Sequence, residues 1–541
     1  MNELATDGAQ AISRRIPRRG ARRLGLVAAV VAAALALSGC TALAGLLPGA
    51  PGSGSEQAGG LTPSDLPDRP EGTVAGMGAQ APNWRDCSGG MQCADVYAPL
   101  DWQDPAGELI TLRLVKHAAT GSDPIGTLFV NPGGPGASGV SYVANNLDYS
   151  VPAEIQREYD VIGWDPRGVG ASSPVTCLDT AGMDEYLFGL GEGAGLERGS
   201  DEWLKIAAAE SRAFGDACAE RTGPLIGHVA TSDTVADLDM LREIVGDPKL
   251  NYLGFSYGTY IGARYADAYP EKVGRLVLDG AMDPSATMSD VVREQTRGFE
   301  LALRAYVTDC LTRRDCPLTG SVDQAMDQIS GLLDMVDEQP LVGEDGRVVT
   351  ANTLLTAIIT PLYAQSNWGF LNDLFLTVSN GDAEVALLLA DMYYDRENGK
   401  YLSNSTESFS AINCLDYPER DVDVARIRAE AAEFEKIAPT IGRFQGYGDI
   451  ACAEWPVEAK TERGPVSAEG ADPILVVGTT GDPATPYRWA EALAEQLDSG
   501  VLLTYEGEGH TAYGGSNCVD EVVNTYLLTG KAPTNPVVCS Q

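Results

Sequence analysis

From about residue 94 onward, short apolar runs alternate with stretches in which apolar residues recur at helical spacing. Eight runs read as strands: Ala94–Ala98, Leu109–Val115, Ile125–Val130, Tyr159–Trp164, Leu250–Leu253, Arg275–Leu278, Ile474–Val477 and Val501–Thr504. The first two can pair as a hairpin. The others are separated by helical patterns, which predicts a mostly parallel sheet with helices on both faces, an α/β fold. The rhythm breaks over residues 286–464. There Val291–Leu311, Val322–Val336, Thr350–Ala364 and Val424–Ile437 have helical spacing with few strand signals. An all-helical insertion between the sixth and seventh strands predicts a lid over the mouth of the sheet, placed to shape a pocket and exclude water. The sequence shows no internal repeat.

The first eighty residues do not belong to this pattern. Six arginines between Arg14 and Arg23 precede an apolar run, Leu24–Leu37, that closes on Leu37-Ser38-Gly39-Cys40. Basic, apolar and small-residue elements in that order mark residues 1–39 as an export signal. The run is too short to span a bilayer comfortably as a mature helix. Its end resembles a bacterial lipobox, in which Cys40 becomes the lipidated first residue on the outer face of the membrane. The arginine pairs hint at twin-arginine export, but the residues after them fit that pattern poorly. Residues 40–80 are rich in Gly, Pro and Ser and lack periodicity, as a flexible tether would. The remaining chain divides into residues 81–285 and 465–541 as two parts of one core, with 286–464 as the lid.

Charge and cysteine content narrow the function. The chain has 38 basic and 76 acidic residues, a net charge of −38. Residues 1–39 hold six arginines and two acids, so the remainder, at 32 basic against 74 acidic residues, is more negative still. Nucleic-acid binding is excluded as a main role, because phosphate contacts need a basic face. Setting Cys40 aside leaves ten cysteines, an even number suited to disulfides in an exported protein. Cys87/Cys93 and Cys310/Cys316 are close enough in sequence to close local loops. Cys177/Cys218, Cys414/Cys452 and Cys518/Cys539 would complete a sequential set, although spacing alone does not fix connectivity. No C-x-x-C pair or histidine cluster is present, and neither a metal nor a cofactor is expected.

The chemistry concentrates in Gly254-Phe255-Ser256-Tyr257-Gly258, which follows a strand and leads into a helix of small residues. In this G-x-S-x-G context the serine sits on a sharp turn with its hydroxyl exposed to a base. Only His117, His228 and His510 can supply one. His117 lies in or just after the second strand and His228 before the helix preceding the elbow. His510 lies in a glycine-rich loop after the last strand, where a base belongs. Asp482, in the tight loop after Ile474–Val477, is the candidate to orient it, with Asp279 or Asp283 as rivals and helix capping as its plain alternative. Two backbone N–H groups must face the developing oxyanion. Tyr257, next to the nucleophile, offers one. Gly134, in Asn131-Pro132-Gly133-Gly134-Pro135-Gly136, offers the other.

These segments together resemble a family. Asn131–Gly136 is similar to the His-Gly-Gly-Pro-Gly loop of prolyl iminopeptidases, with Asn131-Pro132 in place of the histidine. Asp165-Pro-Arg167-Gly168-Val-Gly170-Ala-Ser172 is similar to their Asp-Gln-Arg-Gly-x-Gly-x-Ser segment. Joined to the lipobox, Arg275-Leu-Val-Leu-Asp-Gly280, Ala411-Ile-Asn-Cys-Leu-Asp416 and Gly481-Asp-Pro-Ala-Thr-Pro486, the chain from about residue 85 to 541 resembles the secreted tripeptidyl aminopeptidases of actinobacteria. The resemblance implies an α/β-hydrolase fold with an eight-stranded sheet and serine exopeptidase activity. Its substrates would be peptides or proteins with free N-termini, and its only membrane attachment the lipid anchor. Such a substrate's ammonium needs a carboxylate clamp. Asp416 is the first candidate and Glu419 the second. An esterase with the same Ser256, Asp482 and His510 is the alternative.

Overall fold

The structure, a computed structural model, describes residues 66–418, 423–459, 463–534 and 536–540. The signal, Cys40 and Glu419 therefore lie outside the described residues. Each of the eight expected runs forms a strand: β2 (Gln92–Pro99), β3 (Leu109–His117), β4 (Gly126–Asn131), β5 (Tyr159–Trp164), β6 (Leu250–Phe255), β7 (Val273–Asp279), β12 (Ile474–Gly481) and β13 (Gly500–Glu508). Two short outer strands, β1 (Arg85–Asp86) and β14 (Val537–Ser540), extend the expected eight to ten. The order is β1-β2-β3-β5-β4-β6-β7-β12-β13-β14. Pairings from β1 through to β5 are antiparallel and all those from β5 to β14 are parallel.

Alternation along the central strands sends neighbouring side chains to opposite faces. Tyr252, Leu276, Leu278, Ile474 and Val476 join one apolar cluster, while Leu253, Val277, Leu475 and Val477 join the other. A one-residue slip would exchange the two sets, and both are fully buried, so the register is strongly specified. The first cluster runs on without a break into the segment between β7 and β12, through Leu354, Ile358 and Leu389.

That segment holds the four expected helices, now Met288–Cys310, Val322–Glu338, Ala351–Leu362 and Val424–Ile437. Thr287 with Asp290 and Ser321 with Gln324 form capping boxes that start the first two. It is not all-helical. Two small hairpins interrupt it, β8 (Leu341–Val342) with β9 (Val348–Val349) and β10 (Arg396–Glu397) with β11 (Lys400–Tyr401). Asn398 and Gly399, at φ 49° and 74°, form the turn of the second, a pairing that favours a primed turn. A further helix, Ser405–Asp416, runs against the sheet's loops.

Of the span 40–80 expected as a tether, the described residues 66–80 include packed ones. Met77 is fully buried, and Gln80 pairs with both backbone groups of Tyr97, donating at 2.8 Å and accepting at 2.9 Å. The five disulfides are Cys87–Cys93, Cys177–Cys218, Cys310–Cys316, Cys414–Cys452 and Cys518–Cys539, the sequential set. Cys518–Cys539 ties β14 to the helix Asn517–Thr529. No described helix is long and apolar enough to cross a membrane.

Arg167 and Asp237 form a fully buried ion pair, with Nε donating to Oδ2 at 2.7 Å and Nη2 to Oδ1 at 2.6 Å. The remaining guanidinium protons go to the carbonyls of Pro99, Leu100 and His228, and Trp102 donates to the same aspartate. Removing one partner would leave a buried charge unpaired. Arg167→Met is therefore expected to lower stability by about 3–5 kcal/mol, read as a shift in the urea midpoint, while Ser256 chemistry persists in whatever fraction stays folded.

Candidate active site

Ser256 sits where β6 turns into the helix Tyr257–Ala268, at φ 55° and ψ −125°. A non-glycine residue at positive φ is strained and persists only where its surroundings enforce it. Its N–H donates to the carbonyl of Asp279 on β7 at 2.9 Å. The flanking glycines allow the crowding: a Cβ at Gly254 would lie 2.6 Å from the Gly258 carbonyl, and one at Gly258 would lie 2.8 Å from that of Asn131.

His510 follows β13 and reaches back toward β12. Its Nδ1 lies 2.9 and 3.0 Å from the two carboxylate oxygens of Asp482, which fixes the tautomer with the proton on Nδ1 and leaves Nε2 as the basic nitrogen. Asp482 is buried and also accepts from the N–H groups of Ala484, Thr485 and Thr511 and from the Thr485 hydroxyl. Such a donor set holds the carboxylate in one orientation. The rivals fall elsewhere. Asp279 accepts from the N–H groups of Ala512 and Tyr513, securing the histidine loop from behind, and Asp283 pairs with Ser285 and Gln496. Asp279 thus ties the two halves of the site together: its carbonyl holds Ser256 and its carboxylate holds the His510 loop.

Gly133, at φ 100°, lies against the elbow; a Cβ there would be 2.5 Å from the Phe255 carbonyl and 2.9 Å from Ser256 Cβ. Its N–H donates to Asn131 Oδ1. Gly134 and Tyr257 instead line the cavity that contains Ser256, where the first N–H groups of a helix have no intrahelical partner. The cavity, counted out to its open mouth, has ≈ 610 Å³ of empty space. Its far wall comes from the segment between β7 and β12: Met288, Val291, Gln295, Phe409, Asn413 and Arg463. A second, largely apolar chamber of ≈ 430 Å³ shares Met288, Phe409 and Asn413 with it and ends against Phe214, Ala451 and Trp455.

Asp416 does not take the place expected of an ammonium clamp. It is buried, it does not line the cavity, and its carboxylate accepts from the N–H and hydroxyl of Thr231. Thr231 in turn bonds the Tyr257 hydroxyl, so Asp416 supports the elbow helix from behind. None of the described residues lining the cavity is acidic. The charged group that does line it is Arg463, whose guanidinium lies 4.1 and 4.3 Å from the ring centres of Tyr260 and Tyr417.

Sequence reasoning missed Arg463, Gln295, Thr485 and Tyr363. Tyr363 holds the base loop, its carbonyl accepting from the His510 N–H at 2.8 Å and its ring meeting the imidazole edge-on. Thr485 was visible within the Gly481–Pro486 motif. The others come from a segment distant in sequence and carry no local signal.

Ser256 follows β6, Asp482 follows β12 and His510 follows β13, all at the carboxyl-terminal edge of the sheet, where an α/β-hydrolase fold places such residues. A family model described as TAP-like protein matches residues 438–539. Serine protease Hip1 of Mycobacterium tuberculosis is 35% identical over 463 residues, covering 83% of this chain and 88% of the relative. Tripeptidyl aminopeptidase of Streptomyces lividans is 30% identical over 480 residues, covering 85% and 86%. Carboxylesterase B of Mycobacterium tuberculosis is 33% identical over 460 residues, covering 83% and 86%. The chain belongs to this actinobacterial family of tripeptidyl-aminopeptidase-like serine peptidases.

Burial pushes the carboxyl groups of both Asp279 and Asp416 up to about 6 from an ordinary 3.8, against their hydrogen bonds. The folded protein then binds more protons than the unfolded chain between those values. Each group's contribution is fully present below pH 3.8 and is lost as pH rises through about 6. Asp416→Asn can keep both Thr231 contacts, its amide nitrogen donating to the hydroxyl. It is expected to make the fall in melting temperature from pH 4.5 to 7 shallower, and to leave KM for free-amine peptides within about threefold. A KM rise of tenfold or more would restore Asp416 as a clamp.

Proposed function

We propose that the protein is an exported serine peptidase that releases short peptides, tripeptides by analogy with its Streptomyces relative, from free N-termini. Ser256 Oγ attacks the scissile carbonyl carbon while His510 Nε2 takes the hydroxyl proton. The charge on the carbonyl oxygen is met by the Tyr257 and Gly134 N–H groups. The intermediate collapses, the C–N bond breaks, and the imidazolium passes its proton to the leaving amine. Water then enters by the same route and frees Ser256 from the acyl group. Asp482 keeps the imidazole oriented and stabilises its charged form. The observation that carries this reading is the two-oxygen approach of Asp482 to His510, together with a serine held at φ 55° on the turn after β6.

The segment over residues 286–464 acts as the lid in this reading, and the enclosed cavity beneath it favours chain ends over internal loops. An esterase role is the second reading. It is favoured by the absence of an acidic group among the described lining residues and by the likeness to Carboxylesterase B. Lipidation at Cys40 would hold the enzyme on the outer membrane face by two acyl chains, which suffices for stable attachment.

Ser256→Ala and His510→Ala should each lower kcat by about four orders of magnitude or more with the melting temperature nearly unchanged. Acetylating a peptide's N-terminus should lower kcat/KM for its cleavage by about 100-fold; equal turnover of blocked and free peptides would favour the esterase. Cys40→Ala should move the protein from the membrane fraction to the medium or stall its processing, as seen by cell fractionation.

A further inference from the structure

Gln295 lies on the helix Met288–Cys310 and lines the cavity that holds Ser256, yet only 7% of its surface is exposed. Its Nε2 donates to the carbonyl of Ala484 at 2.8 Å. That contact fixes the orientation of the side-chain amide, because only its nitrogen end can face a carbonyl. The oxygen end, Oε1, is buried and has no donor among the described residues. A buried acceptor left unsatisfied is costly, and a ligand's donor would relieve it. The anchor makes the placement firm, since Ala484 belongs to the same tight loop as Asp482, whose carboxylate holds the Ala484 N–H.

From this we infer that Gln295 is a substrate-binding residue whose Oε1 accepts a hydrogen bond from an N–H of the bound peptide. The inference rests on the peptidase reading above. The chemistry calls for a hydrogen-bond donor: an amide N–H or a terminal ammonium of a bound peptide satisfies the acceptor, whereas an ester oxygen cannot. Gln295 thereby does part of what the Asp416 clamp was expected to do. It is a neutral acceptor, which suits a cavity whose one charged described lining residue, Arg463, is cationic. Arg463 spends its Nε–H on the Ala286 carbonyl and lies against two tyrosine rings, so the cavity presents a cation and a neutral acceptor to the substrate. A site built to satisfy an N–H discriminates against analogues lacking one, because its own buried acceptor is then unpaired.

Three substrates read the effect: a free-amine peptide, the same peptide N-acetylated, and a small activated acetate ester without any N–H. In Gln295→Met, kcat/KM for the free-amine peptide should fall by about 10- to 100-fold. Ester turnover should stay within about threefold, which also reports an intact fold. Loss confined to the free-amine peptide assigns the contact to the ammonium; proportionate loss on both peptides assigns it to an internal amide. Either supports the inference. Equal loss on ester and peptide would mean that Gln295 only props the Ala484 loop, and no loss on any substrate would mean that it only packs; each overturns it. If Gln295→Met fails to fold, Gln295→Ala serves, read on the same three substrates with the same supporting and overturning outcomes. Native enzyme active on the ester but on neither peptide would instead sink the peptidase reading itself.

Discussion

Ser256 keeps a positive φ only because three stretches of backbone meet around it with no side chain between them. The turn from β6, the loop at Gly133 and the start of the elbow helix approach so closely that a single Cβ at Gly133, Gly254 or Gly258 would strike a carbonyl. The Asp279 carbonyl completes the enclosure by taking the serine's N–H. Strain of this kind costs on the order of 1–3 kcal/mol and must be offset by the packing of the sheet beneath it. The fully buried side chains on both faces of β6, β7 and β12 supply that support.

The segment between β7 and β12 is more than a cover. Its helix Ser405–Asp416 packs on the oxyanion loop, where a Cβ at Gly136 would lie 2.7 Å from the Ser405 carbonyl. Asn404 bonds Gly168, Gly170 and Val175, and Tyr363 holds the histidine loop. The Asp165–Ser172 motif acts here as a structural junction. Asp165 gathers Ser138, Val140 and Ala171, and Arg167 anchors the far side through Asp237. Cavity shape and loop geometry are therefore set by the same contacts, and changes in the insertion should reach the chemistry without touching the triad.

The principal strands and the turn at Ser256 were legible because both depend on local signals. Short apolar runs bounded by turn residues located all eight principal strands, and a serine between glycines after a strand located the elbow. The scarcity of histidines singled out His510. Two short outer strands escaped because two residues, Arg85–Asp86, carry no periodicity, and Val537–Ser540 depends on Cys539 and its partner Cys518. The small hairpin at Asn398-Gly399 was legible from its turn and was hidden by the helical reading of its surroundings. Asp416 shows where sequence falls silent: an acid at the last residue of a helix can turn inward to a hydroxyl, as it does here toward Thr231, as readily as outward to a ligand. Gln295 is invisible for the converse reason. A glutamine in an amphipathic helix reads as a solvated residue until the fold buries it beside Ala484.

The central claim is that Ser256 is the nucleophile activated by the Asp482–His510 pair. The most direct measurement is to treat the folded protein with a fluorophosphonate and map the adduct by peptide mass spectrometry. The account predicts one adduct per chain, on Ser256, formed rapidly in the native protein and slowed by orders of magnitude in His510→Ala. Labelling at another residue, or at Ser256 with equal speed in the two proteins, would contradict it.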